Sequence, residues 1–445
     1  MASGGATTLA AEARDWFASG VRAGRRAVAI LLCLAAVTVA CGSGREEPPT
    51  TLLRVLMTDD WVTVPFVDAV RSFEREHPTV RVVIEKGPIS LLTDAVRAGI
   101  GSGAPPDLVQ GHAFSAAGQG LAQPLDDLWA AHLDAAEFFP GAIDDVTWAG
   151  RRYGVPLDTN ALVLLYNADL LRQAGVPEPG PTMTFAEFEA LAKALTTPDG
   201  QRRGFVVPNS TWWTYGWIRA NGGETVDVGN DGKPRLGLDS PAVVQTVSFL
   251  SGLIDKGYAF PPRAADSHNG DAVALFASGA VAVHASGSWD LATLRRVVPG
   301  TQYRAALMPL GPSGPQGGVT GVPGIAPGSA MGGSSMWVPQ KAEHRQLAFE
   351  FMTHLISDDN ALRLAKEEGR LPARPRVFED PFFADRDLQV FLQQLRTARP
   401  PKLGAFDEPS EQFTTALEDV FRPGGADPAF ALREAQVRGL ASLAP

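Results

Sequence analysis

The chain is 445 residues long, and its 39 basic and 49 acidic residues give a net charge of −10. This acidic balance argues against nucleic-acid binding, because phosphate contacts need clustered lysine and arginine side chains. The length is sufficient to bury a large hydrophobic core in two domains without stabilising cross-links.

The first segment carries an apolar stretch, AVAILLCLAAVTVACGSG, that begins at Ala27 and contains both cysteines of the chain. Its apolar part is shorter than the roughly 20 residues that a membrane-spanning helix needs. Three arginines precede it and small residues end it, which is the pattern of an export signal. Cys41 directly after these small residues resembles the lipobox of bacterial lipoproteins, in which this cysteine is acylated and becomes the first residue. An ordinary signal peptide with an incidental Cys41 is the alternative.

We therefore predict a lipoprotein signal peptide over 1–40, a lipid anchor at Cys41, and a polar, proline-containing tether over 41–51. The mature domain would then hold no further cysteine, so it could form no disulfide and offer no thiol nucleophile. No later apolar run reaches spanning length. We expect the lipid anchor to be the only contact with the membrane.

The folded part begins with alternating strands and helices. Strands are predicted at 52–57, 80–87 and 104–111, and helices at 64–78 and 91–100. This order and spacing predict βαβ units and a parallel sheet with helices on its faces. Thr184 and Glu187 are spaced as a capping box, at the start of a helix over 184–195; later helices are predicted at 345–356, 359–369 and 410–421. The segment 311–335 is rich in glycine and proline and is predicted to be an irregular loop.

The sequence lacks the common signatures of catalysis and of nucleotide binding. It contains no G-x-S-x-G, H-E-x-x-H, G-x-x-x-x-G-K-[ST] or G-x-G-x-x-G motif, and its seven histidines lack close metal-ligand spacing. We therefore predict no catalytic residue, no metal site and no cofactor.

Tryptophans occur in unusually polar surroundings. The segment STWWTYGWIRANGG holds Trp212, Trp213 and Trp217 within six positions. Adjacent side chains point about 100° apart on a helix, so these rings cannot all enter one core face. Trp61 follows the first strand, where open α/β sheets bind ligands, and Trp289 lies in ASGSWD. Indole rings suit the apolar face of a sugar; ordinary core tryptophans are the alternative.

Five segments together resemble the bacterial extracellular solute-binding proteins of carbohydrate ABC importers, family 1, the maltose-binding-protein type. They occur in the family's order, cover most of 52–443, and read YGVPLDTNALVLLYNADLLRQAGV, TFAEFEALAKAL, LFASGAVAVHASGSW, GGSSMWVP and EEGRLPARPRV. Within this family, GGSSMWVP and the C-terminal helices are most similar to the glycerol-3-phosphate or glycerophosphodiester binders. The phosphate-binding arginine of that type falls near Lys402 here, which leaves phosphate recognition open.

The resemblance implies an α/β, two-lobed periplasmic-binding-protein fold of type II with extra C-terminal helices. It assigns 52–158 and about 286–338 to the first lobe, and about 159–285 and 339–445 to the second. The ligand would lie between the lobes. The polar residues expected at this cleft come from the ends of strands and from the segments that cross between the lobes. The full predicted set of solute-binding residues is Asp60, Trp61, His112, Phe114, Asp158, Asn160, Trp212, Trp213, Trp217, Ser288, Trp289, Gly333 and Ser334.

The function that the resemblance implies is the capture of a sugar or sugar-like solute (carbohydrate, amino sugar or glycerophosphodiester) by hinge closure. The expected partners are this solute and the permease subunits of an ABC importer, and the protein is expected to be a monomer on the extracytoplasmic face of the cell membrane. A secreted, lipid-anchored glycan hydrolase would share the export signal, the acidity and the exposed tryptophans. A purely structural surface lipoprotein, without any ligand, is a third possibility.

Overall fold

The computed structural model describes residues 50–181, 183–207, 210–262, 270–314 and 327–443. The predicted signal peptide, Cys41 and nearly all of the predicted tether lie outside these ranges. Within them, no helix combines the length and the apolar character that crossing a membrane requires.

The described ranges alternate between strands and helices. The strands are β1 (Thr51–Met57), β2 (Val80–Lys86), β3 (Leu108–Gly111), β4 (Thr147–Trp148), β5 (Arg151–Arg152), β6 (Gly154–Pro156), β7 (Asn160–Ala161), β8 (Val163–Asn167), β9 (Phe205–Val206), β10 (Val226–Val228), β11 (Pro234–Leu236), β12 (Ala259–Phe260), β13 (Val283–Ser286), β14 (Tyr303–Ala306), β15 (Ser329–Gly332), β16 (Ser335–Trp337) and β17 (Ala398–Arg399). The α-helices are α1 (Val64–Glu76), α2 (Ile89–Ser102), α3 (Ala113–Gly118), α4 (Asp126–His132), α5 (Pro140–Asp145), α6 (Ala168–Gln173), α7 (Phe185–Leu195), α8 (Thr211–Ala220), α9 (Pro241–Asp255), α10 (Gly270–Ala277), α11 (Ser288–Val297), α12 (Arg345–Leu355), α13 (Asp358–Glu368), α14 (Arg386–Leu395), α15 (Asp407–Val420) and α16 (Pro428–Ser442).

The first sheet has the strand order β2-β1-β3-β16-β6. Strand β1 pairs in parallel with both β2 and β3, as the predicted βαβ units require. Strand β16 enters antiparallel between β3 and β6. Helix α1 buries Phe66, Ala69, Val70 and Phe73, which lie on one face of the helix and pack into the first core.

The second sheet is centred on β8, which pairs antiparallel with β13 and β14. All five residues of β8 are buried. Val163 and Leu165 belong to the first apolar cluster and Leu164 and Tyr166 to the second, because successive strand side chains point to opposite faces. Helices α7, α8 and α9 pack around the second cluster. The predicted capping box of α7 is confirmed: the Thr184 side chain accepts from the Glu187 amide, and the Glu187 carboxylate accepts from the Thr184 amide.

Three segments carry the chain between the two sheets, at 157–160, 332–334 and 369–371. They lie side by side and are joined through backbone hydrogen bonds. The amides of Leu157 and Asp158 donate to the carbonyl oxygen of Ser334 at 2.8 and 3.2 Å, and the Thr159 amide donates to the Leu371 oxygen at 2.8 Å. We call them the three crossing segments.

The sheet pairings correct part of the predicted division into lobes. Strand β14 pairs with β8 in the second sheet, although 286–338 had been assigned to the first lobe. Helices α12 and α13 pack against α1 on the first sheet, although 339–445 had been assigned to the second lobe. The chain therefore returns to the first sheet later than residue 286 and stays there beyond residue 338.

The prediction of an irregular loop over 311–335 is wrong where the structure describes the end of that segment. Strands β15 and β16 are fully buried there. Small residues are needed in this region because the backbone and rings of other segments approach closely; a Cβ on Gly332 would lie 2.9 Å from the ring of Trp212.

Candidate functional site

Asp158 lies on the first crossing segment and is only 6% exposed. Its Oδ1 accepts a hydrogen bond of 2.6 Å from the amide of Ser334, on the second crossing segment. Burial raises the pKa of Asp158 to about 6, although the positive charges of Arg370 and His112 and the Ser334 amide act in the opposite direction. The junction of the lobes thus holds a carboxylate that is largely removed from water.

His112 follows β3 and occupies the N-cap position of α3. Its Nδ1 lies 2.7 Å from Oδ1 of Asp145, at the end of α5, and about a third of its side chain is exposed. Burial opposes protonation of the imidazole, but the carboxylates of Asp145 and Asp158 outweigh burial and raise the pKa of His112 above its usual range. His112 is therefore where the sequence predicted it, at the carboxyl end of a strand, and Asp145 is a partner that the sequence did not reveal.

Gln110 connects the first strand of the sheet to the second crossing segment. Its Oε1 accepts from the amide and the hydroxyl of Thr58 at 3.0 and 2.9 Å. Its Nε2 donates to Oγ of Ser334 at 2.9 Å. Ser334 is thus fixed by the side chain of Gln110 and by the backbone of Leu157 and Asp158, and its amide positions the Asp158 carboxylate.

Arg370 lies on the third crossing segment and covers one face of Trp61. Its guanidinium carbon is 3.8 Å from the centre of the indole ring, a cation–π contact. One guanidinium nitrogen also donates to the backbone oxygen and to Oδ2 of Asp60, at 2.9 and 3.0 Å. Asp60 and Trp61 belong to the set of site residues predicted from the sequence. Arg370 does not, although this residue lies within the motif EEGRLPARPRV.

Three partly buried tryptophans form a cluster beside the crossing segments. The rings of Trp212 and Trp213 meet edge to face at 4.8 Å, and Trp212 lies 5.8 Å from Trp289. Their orientation is fixed because the indole N–H groups of Trp212 and Trp213 donate to the carbonyl oxygens of Met331 and Ala285, each at 2.9 Å. We call Trp212, Trp213 and Trp289 the tryptophan cluster.

Three aromatic residues of the predicted site are almost fully buried in the hydrophobic cores: Trp61, which is 2% exposed and is covered by Arg370, and Trp217 and Phe114. Trp217 is 1% exposed and lies against Phe185, Phe188 and Phe205 in the second core. Phe114 is 2% exposed and is part of the first core. Trp217 lies one turn beyond the partly buried start of α8, and Phe114 lies on α3; both rings pack into the cores, and we do not propose them as solute contacts.

Asn160, Ser288 and Gly333 hold the crossing segments together rather than facing open space. Asn160 and Ser288 are buried and bond to each other twice, through Nδ2 to Oγ at 2.6 Å and through the Ser288 amide to Oδ1 at 3.1 Å. Gly333 has a φ of +101°, and a Cβ there would lie 2.7 Å from Cα of Thr159. Each of the three therefore has an internal contact at the junction, and its contact with solute stays a prediction.

Lys402 lines a polar cavity of about 230 Å³ on another side of α8. Four further charged residues of this cavity form two ion pairs, Arg399 with Asp144 at 3.0 Å and Arg219 with Glu224 at 3.1 Å. Burial raises the pKa of both Asp144 and Glu224. The mixed charge of this cavity gives no preference for a phosphate group.

We expect Asp158 to make the solute-free protein less stable as the pH rises from about 4 to 6. The folded-state pKa of about 6 exceeds the ordinary value of 3.8, so the folded state binds the extra proton in this window and loses stability as the proton leaves. A shift of this size corresponds to roughly 2 to 3 kcal/mol. Asp158→Asn should therefore raise the free energy of unfolding at pH 7, measured with urea, and flatten the profile between pH 4 and 6.

Asp359→Asn is the control for this experiment, because Asp359 is exposed on α13 and the substitution changes the net charge equally. It should leave the pH profile unchanged. A slope that persists in the Asp158→Asn protein would show that another group causes it.

Two α/β sheets joined by three crossing segments, with polar and aromatic side chains collected at the junction, define a two-lobed binding protein of the maltose-binding-protein type. Residues 68–389 match the model of the bacterial extracellular solute-binding protein family. The chain belongs to this family, as the order of its motifs predicted.

Three similar proteins illustrate the relationship. A protein of Brucella abortus (strain 2308) described as a binding protein is 24% identical over 401 residues, which cover 86% of this chain and 90% of that one. An ABC transporter solute-binding protein from Thermotoga lettingae, bound with α-D-tagatose, has 21% identity and a TM-score of 0.73, with 89% of this chain and all of that chain covered. UgpB from Mycobacterium tuberculosis, in complex with glycerophosphocholine, has 22% identity and a TM-score of 0.72, with 89% and 98% covered. These structural similarities confirm the predicted fold.

Proposed function

We propose that this protein is the solute-binding component of an ABC importer, which captures a sugar or sugar-like solute between its lobes and delivers it to the permease. The observation that carries the proposal is the meeting of Asp158, His112 and the tryptophan cluster at the three crossing segments. A solute that contacts both lobes stabilises the closed arrangement, and closure is the signal that a permease can detect.

The residues proposed to contact the solute are members of the predicted set that lie at the junction. Indole faces would pack against apolar ring surfaces, and the carboxylate and imidazole groups would bind hydroxyl or amino groups. The proposed contacts are Asp60, Trp61, His112, Asp158, Trp212, Trp213, Trp289 and the backbone of Ser334.

The proposal is tested by calorimetric titration of the purified protein with sugars, amino sugars and glycerophosphodiesters. We expect heat of binding from one class, no change in the solute recovered afterwards, and a smaller radius of gyration by X-ray scattering when solute is present. Recovery of cleaved glycan would instead identify a hydrolase. The absence of binding to any compound would favour a structural lipoprotein.

We further propose that Cys41 is acylated and anchors the monomeric protein to the extracytoplasmic face of the membrane. Attachment is strong when more than one acyl chain is present. Cys41→Ala should therefore move the protein from the membrane fraction to the medium or leave an uncleaved precursor, as detected by immunoblotting of fractions.

Cys33→Ala is a matched control, since Cys33 lies within the proposed signal peptide and is removed with it. This variant should fractionate like the parent. If the Cys41→Ala protein also fractionates and migrates like the parent, Cys41 is not the anchor.

A further inference from the structure

The charged groups described at the lobe junction include one more carboxylate than cationic groups. Three carboxylates, those of Asp60, Asp145 and Asp158, lie near two cationic groups, Arg370 and His112. Arg370 pairs with Asp60 at 3.0 Å, and His112 pairs with Asp145 at 2.7 Å. Asp158 is the carboxylate that remains without an ion-pair partner of its own.

The Asp158 carboxylate is buried, and burial destabilises its charged form. Its only hydrogen bond in the described part of the chain is the one that Oδ1 accepts from the Ser334 amide. The charged groups that act on it are Arg370 and His112, which favour ionisation, and Asp145, which opposes it. The first two are already engaged with other carboxylates, so they compensate Asp158 only in part.

The tryptophan cluster is close to this carboxylate through the second crossing segment. The ring of Trp212 lies against Gly332, and Ser334, two residues later, binds Asp158. The indole N–H groups of Trp212 and Trp213 are used by backbone oxygens, so what these rings can offer to a solute is their faces. Indole faces attract cations, and several such faces beside a carboxylate form a site for a positively charged nitrogen.

We propose that the solute carries a positively charged nitrogen, which Asp158 and the tryptophan cluster hold at the lobe junction. The inference rests on the proposed function and names its solute class. Two sources share this chemistry: the primary ammonium of an amino sugar, which can donate hydrogen bonds to Asp158, and the quaternary ammonium of a choline-type head group, which can only approach it.

Neutral and anionic solutes would compensate the negative charge of Asp158 less well than a cationic solute. A neutral sugar would remove the remaining water from Asp158 without supplying the missing positive charge. An acidic sugar would be repelled by Asp158, and it could reach Arg370 only in competition with Asp60.

The test uses matched pairs of compounds that differ in the charge on nitrogen. Calorimetric titration at pH 7.0 would compare D-glucosamine with N-acetyl-D-glucosamine, D-galactosamine with N-acetyl-D-galactosamine, chitosan disaccharide with N,N′-diacetylchitobiose, and glycerophosphocholine with its 3,3-dimethylbutyl analogue, in which a neutral carbon replaces the quaternary nitrogen. The member of each pair with the positively charged nitrogen is called the charged member. We expect the charged member of at least one pair to bind about tenfold more tightly or better. The pair that responds identifies the source of the nitrogen.

Asp158→Asn keeps an acceptor for the Ser334 amide but removes the negative charge. In this variant the ratio of the two dissociation constants within the responding pair should fall to about threefold or less, mainly because the charged member binds more weakly. The control Asp359→Asn should keep the full ratio. Equal or tighter binding of the acetylated or neutral members would overturn the inference and leave the proposed function intact. Binding of neutral sugars alone would also overturn the inference and leave the proposed function intact. A preference for charged members that survives Asp158→Asn would also overturn it.

Discussion

Trp217→Ala is expected to lower the free energy of unfolding by about 3 to 5 kcal/mol, the range for removing a large buried aromatic side chain. The ring centres of Phe185, Phe188 and Phe205 lie 4.9 to 5.5 Å from that of Trp217, so alanine would leave a cavity that these rings cannot fill. The indole N–H has no hydrogen-bond partner in the described structure. The loss should therefore come from packing, and urea denaturation followed by circular dichroism would measure it.

Trp217→Phe serves as the conservative comparison, because it keeps an aromatic ring in the same core. It should recover most of the lost stability and bind solute like the parent. If the Trp217→Ala protein keeps its stability but loses affinity for the solute, Trp217 contacts the solute and its assignment to the core is contradicted.

Trp213→Ala should weaken solute binding by about 2 kcal/mol or more, roughly 30-fold in the dissociation constant, if its ring forms a central contact. Trp212→Ala should have a similar effect, since the two rings meet edge to face and orient each other. Both side chains are only partly buried, so the free energy of unfolding should change much less than in Trp217→Ala. The dissociation constants would be measured by calorimetry with the solute that gives heat in the screen.

Intrinsic fluorescence provides an independent measurement for these variants. Solute binding should change the tryptophan emission of the parent, and each substitution should reduce that change. If both variants bind the solute as tightly as the parent, the tryptophan cluster supports the junction without contacting solute.

The parts of the fold that depend on local sequence were predicted well. The apolar runs of β1 and β2, the apolar face of α1 and the capping box at Thr184 are short-range signals, and the structure contains all of these elements. Strands β15 and β16 were missed because their small residues have little strand preference of their own. They become strands through pairing with residues about 170 to 230 positions earlier in the chain.

The candidate site shows the same division between local and long-range information. The run of tryptophans at the start of α8 indicated that some rings leave the core, but only the packing distinguishes Trp213 from Trp217. The contact between Gln110 and Ser334 joins residues 224 positions apart, and that between Arg370 and Asp60 joins residues 310 positions apart. No local pattern marks either contact, so Asp60 and Ser334 could be predicted at the site, but their partners Arg370 and Gln110 could not.

The position of β16 within the first sheet affects how the chain reaches its folded state during export. Strands β3 and β6 are both produced early, but the strand that lies between them ends at residue 337. Until that residue has left the translocation channel, β3 and β6 each expose an unpaired edge, and such edges invite pairing with other chains. Pairing over so long a sequence separation is also slow. In the proposed export, the first sheet would therefore be complete only after about three quarters of the chain has emerged, and its open edges would be exposed to aggregation during that interval.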